Sequence, residues 1–211
     1  MKHEIQIDIL EKMFQTVSSN DILRSAIKVL IPKRKQKKVY IIVFVLSIIP
    51  SYMISVSQDT VPIFRNCVQI VNDVCLALFG IIFTGYALFQ ALIGKEMLIR
   101  MIQSTVIKDK EEISKLQETN ENFAETMMLE FLCIVISLLL LLILNSLPDD
   151  YCMFQKLYLN NIIAGLGMYI YFYLFFIVLL EIKSFIFNIV QLFNFHAGTR
   201  IMEIMKENRN E

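Results

Sequence analysis

Four blocks of this chain are apolar at nearly every position, and each is longer than a surface amphipathic helix requires. They cover residues 39–57, 68–94, 127–147 and 157–180, and include the runs FLCIVISLLLLLILNSL and IIAGLGMYIYFYLFFIVLL. A hydrocarbon core about 30 Å thick is crossed by roughly 20 helical residues. Backbone amides in lipid need internal partners, so each block predicts a helix. The pattern predicts an all-α integral membrane protein with four transmembrane helices. The first block begins well inside the chain, is too long for a signal-peptide core and lacks a small-x-small exit before Gln58. It is therefore expected to be a retained span.

The segments between the blocks are amphipathic or short. In residues 1–38, Ile22, Leu23, Ala26, Ile27 and Leu30 share one helical face. Ser19 or Asn20 can cap that helix and Pro32 stops it, while IQIDILEKMFQTV predicts an earlier amphipathic stretch. Residues 58–67 and 148–156 are short loops. Residues 95–126 are too many for a simple connection and predict a helical hairpin turning near Lys108 to Lys110. Its apolar positions, Leu98, Met101, Ile102, Ile113, Leu116 and Phe123, need cover from one another or from a partner. In residues 181–211, an amphipathic helix continues to about Phe195, His196-Ala197-Gly198 breaks it, and TRIMEIMKEN forms a last short helix.

Net charge is zero, but its distribution is lopsided. Lys and Arg number nine in residues 1–38, five in 95–126 and four in 181–211, against one each in 58–67 and 148–156. The positive-inside rule then places both termini in the cytoplasm and both short loops outside. The cluster PKRKQKK, with Lys33, Arg34, Lys35, Lys37 and Lys38, fixes the orientation of the first span and can sit among anionic lipid headgroups. It lacks the interleaved aromatics of a nucleic-acid platform, so no direct nucleic-acid contact is expected.

Polar residues inside the spans form stripes. At 100° per residue, Asn66, Gln69, Asp73, Ala77, Gly80, Thr84, Ala87 and Ala91 fall within about 40° of one line on the second span. Asn160, Ala164, Gly167 and Tyr171 form a shorter stripe on the fourth. Such stripes serve helix packing, within a protomer or between protomers. With Asp73 in it, the longer stripe can instead line a pore. Pro50 is expected to kink or shorten the first span. Glu130 and Glu181 lie near inner span ends, where Lys183 or Arg100 can pair with them, and read as interfacial residues.

Catalytic chemistry has no motif to rest on. The four cysteines (Cys67, Cys75, Cys133, Cys152) form no CxxC, and the two histidines are too few for a zinc site. Cys67 and Cys152 both fall on the external side and can form a disulfide in an oxidising compartment. No phosphate-binding, dinucleotide or hydrolase signature is present. The expectation is a protein that is not an enzyme and uses neither metal nor cofactor.

Three classes fit: a membrane sensor or scaffold docking a soluble effector on its cytoplasmic helices, an oligomeric channel, and a small transporter. A transporter needs a midplane charge or broken helices, and neither is evident. The outsized cytoplasmic part favours the scaffold, with the channel second. Ile-, Lys- and Asn-heavy usage points to a bacterial gene and hence to the bacterial inner membrane. Four spans, PKRKQKK before the first, the connection over residues 95–126 and the lack of an enzymatic domain together resemble the membrane subunit of the Kiwa anti-phage defence system. That resemblance implies a homo-oligomer, a tetramer by preference, which detects phage attack at the envelope and holds a soluble DNA-binding partner beneath the membrane. The outer loops would then sense, the second-span stripe assemble and the hairpin dock.

Overall fold

The computed structural model describes residues 18–31, 37–108, 111–152 and 154–210. Lys33, Arg34 and Lys35, and the amphipathic stretch before residue 18, lie outside them. Among the described residues, four helices are long and apolar enough to cross a membrane.

Helix α1 (Ser19–Val29) is capped by Ser18, one residue earlier than the spacing predicts, with the Ser18 hydroxyl accepting from the Asn20 amide at 3.3 Å. At its other end, two tyrosine hydroxyls donate to carbonyls left open by the helix terminus: Tyr40 to Val29 at 2.8 Å and Tyr173 to Leu30 at 3.1 Å. Ser25 donates to Glu125 at 2.6 Å. The amphipathic helix is thereby tied to three spans.

Helix α2 (Lys37–Ser55) opens on exposed Lys37 and Lys38 and continues through Pro50 instead of ending there. Ser47, Ser51 and Ser55, spaced four apart, are buried, and each hydroxyl donates to a carbonyl of its own helix at 2.6–3.0 Å. Satisfied in this way, the small side chains let the last helix approach closely. A Cβ added to Gly165 would lie 3.4 Å from Ser55.

Helix α3 (Thr60–Leu92) begins inside the stretch expected to be an external loop. Thr60 bridges the connection, donating to the carbonyls of Ile54 and Ser57 at 3.1 and 2.8 Å. Pro62 falls in the first turn, where no amide bond is lost. The helix stops at Ile93, and a separate helix, α4 (Lys95–Gln103), follows Gly94.

The expected helical hairpin is not formed. After α4 the chain makes an antiparallel ribbon, β1 (Thr105–Lys108) with β2 (Glu111–Ser114), in register Thr105↔Ser114 to Lys108↔Glu111. Thr105, Val106, Ile107 and Ile113 are β-branched and stiff at χ1, which favours extended backbone over helix. Residues 109 and 110, where the sequence places the turn, lie outside the described residues. Two strands alone are marginal in water, and this pair is anchored by buried Ile113 and by the Lys115 amide donating to the Ser104 carbonyl at 2.7 Å.

Helix α5 (Lys115–Ser146) starts on a capping-box sequence, Ser114-Lys115-Leu116-Gln117, with the Gln117 amide donating to the Ser114 hydroxyl at 3.1 Å. Helix α6 (Leu157–Asn210) runs unbroken through His196-Ala197-Gly198, contrary to the expected break. One interior glycine costs about 1 kcal/mol relative to alanine, which flanking helical residues outweigh.

In the core, α3 packs on α5, α2 on α6, and α5 on α6. Edge-to-face rings join three helices: Phe123 of α5 lies 5.1 Å from Phe185 and 5.3 Å from Tyr86. Gly85 is what permits this approach of α3 to α6, since a Cβ there would meet the Phe185 ring at 2.9 Å.

Candidate functional site: an outward stripe and a buried polar row

The two faces of α3 have opposite fates. Phe64, Val68, Val71, Asn72, Cys75, Ile82 and Phe89 point into the core and are buried. Asn66, Gln69, Asp73, Ala77, Gly80, Thr84, Ala87 and Ala91 are all exposed. They form a strip about 38 Å long at 1.5 Å per residue. Gln69 donates to Asp73 at 3.0 Å, and Thr84 donates back to the Gly80 carbonyl at 2.8 Å. A Cβ at Gly80 would meet nothing within 4 Å. Within this chain the strip is left uncovered.

The α6 stripe, by contrast, divides. Asn160 grips the preceding loop, accepting from the Phe154 amide and donating to its carbonyl, both at 2.7 Å. Ala164 packs against the core, and Gly167 is exposed, so that a Cβ there would meet nothing within 4 Å. Tyr171 is buried and shares a 2.9 Å hydrogen bond with Ser137. The glycine at the α2 contact is Gly165, its neighbour in sequence.

Most of the expected docking positions turn inward. Met101, Ile113, Leu116 and Phe123 are buried and Ile102 half-buried, because α4, the ribbon and the start of α5 cover one another. Leu98 stays at the exposed limit, joined by Ile99 and by Ile107, which is 82% exposed.

Glu130 also departs from its interfacial expectation. It is completely buried, on the same face of α5 as Cys133 and Ser137, and neither carboxylate oxygen has a hydrogen-bond partner. Beside it the Cys75 and Cys133 sulfurs lie 3.7 Å apart. Asn72 Oδ1 is likewise buried without a partner. Glu130, the two thiols, Ser137, Tyr171 and Asn72 thus form a polar row inside an apolar bundle. The i, i+3, i+7 spacing of Glu130, Cys133 and Ser137 was readable and carries the signal. Glu181 is half-buried and lines a cavity of about 140 Å³ with Glu125.

Cys67 and Cys152, which could have paired, are both free thiols. Cys67 packs against the core, whereas Cys152 is exposed in the connection before α6. Arg65 has a structural role that composition alone hides. Its guanidinium donates to the carbonyls of Leu144 (2.8 and 3.2 Å) and Leu147 (3.2 Å), and pairs with Asp149 at 3.1 Å. It thereby caps the C-terminus of α5, where a cation also meets the negative end of the helix dipole.

Among the described residues, no cluster of His, Cys, Asp and Glu could hold a metal ion. No protein-family model, curated protein or solved structure matches the chain.

Proposed function

We propose that this chain is a membrane-embedded sensor or scaffold that assembles through α3 and holds a soluble effector on its cytoplasmic side. In this reading it sits in the bacterial inner membrane with both termini inside and serves in anti-phage defence, as its layout suggests. The observation that carries it is the eight-residue stripe, exposed end to end on a helix whose opposite face is packed. Polar side chains such as Gln69 and Asp73 are costly against lipid, and small residues between them allow close helix approach. A second copy covers both kinds of residue at once. Exposed Leu98, Ile99 and Ile107 give the effector an apolar foothold.

Gly80→Leu tests the reading. Its side chain meets nothing within the protomer, so native mass spectrometry of gently solubilised protein should give folded monomer in place of oligomer. Unchanged assembly would remove α3 from the interface. A second reading, a channel lined by α3, is favoured by the alignment of Asn66, Gln69, Asp73 and Thr84 on that same stripe.

A further inference from the structure

A cavity of about 950 Å³ opens between α4, β1, the first turns of α5 and the far part of α6. All its lining residues lie beyond the apolar blocks, at one end of the bundle. Arg100 and Lys115 stand in its wall, and among the described residues no carboxylate does. Lys115 is held by Glu118 at 2.5 Å, but Arg100 is exposed and forms no ion pair among the described residues. Asn122 and Gln191 supply amide donors, and Met101 and Leu192 supply apolar wall. The first turn of α5 opens here too, adding the positive end of its dipole. The volume is within the range of small-molecule sites, about 300–1,000 Å³.

We propose that this cavity binds a phosphate-bearing anion with an apolar body. A planar guanidinium matches phosphate in a two-point fork, and the neighbouring Glu118 carboxylate is engaged by Lys115 and not by Arg100. The amides fix the polar groups around the phosphate, and the methionine and leucine take the apolar part. Two sources carry this chemistry, an anionic phospholipid from the adjacent leaflet and a soluble phosphate ester.

The test uses full-length protein in neutral detergent. Thermal midpoints are titrated with short-chain phosphatidylglycerol, inorganic pyrophosphate and, as the zwitterionic control without net charge, short-chain phosphatidylcholine. Arg100→Gln removes the cation, and Gln191→Glu independently places a carboxylate in the wall. A saturable rise with phosphatidylglycerol alone assigns a lipid; a rise with pyrophosphate as well assigns a soluble phosphate. Each supports the proposal when both substitutions weaken apparent affinity by roughly tenfold or more. No rise with either anion, an equal rise with phosphatidylcholine, or rises that survive both substitutions overturn it.

Discussion

Glu130 is sealed beside Cys75 and Cys133 with neither carboxylate oxygen bonded, and burial without a partner is among the most expensive things a side chain can do. Nothing in the packing requires an acid there. Glu130→Gln keeps the shape and removes the ionisable group, and it should raise the thermal midpoint in detergent. A relief of about 1–3 kcal/mol amounts to several degrees in a chain of this size. A midpoint that falls by as much would mean the carboxylate finds a partner in the assembled protein. Arg65 is the opposite case, a side chain with four of its five N–H donors engaged. Truncating it to alanine leaves the Leu144 and Leu147 carbonyls open and should destabilise by about 1–3 kcal/mol, read as a lower midpoint. A change under half a degree would show that water caps α5 equally well.

At the scale of elements, the four spans were legible because continuous apolar runs allow one answer in lipid. The α3 stripe was legible for a related reason: polar and small residues on one line of an apolar helix declare a face. The ribbon was not, because residues 95–126 are rich in helix-forming Glu and Lys, and four-residue strands offer only two alternations each to set against them. The positions expected to dock a partner turned inward with it, since buried Ile113 and exposed Ile107 follow from strand pairing and not from helical spacing. That difference gives a paired prediction. Ile113→Lys should unfasten the ribbon and expose it to limited proteolysis, while Ile107→Lys should leave it resistant and release a bound effector in co-purification. Equal proteolysis of the two variants would contradict the strand register.

For the whole molecule, the four long helices pack into one bundle, and the stripe on α3 is left over. If copies meet around that stripe with water between them, Asp73 lines the passage, and Asp73→Asn should reduce cation selectivity in planar bilayers. Absence of conductance in the unaltered protein would leave α3 as packing surface alone. The unbroken course of α6 has a mechanical consequence. At 1.5 Å per residue its 54 residues reach about 80 Å, far more than the roughly 30 Å a membrane demands. Asn160, clamped to Phe154, pins one end. A pivot of about 5° there swings the other end by about 7 Å, more than one helical turn of 5.4 Å. Seen from that clamped end, residues 157–180 are the near part of the helix and residues 181–210 the far part, so a small tilt of the first would be felt as a larger displacement of the second.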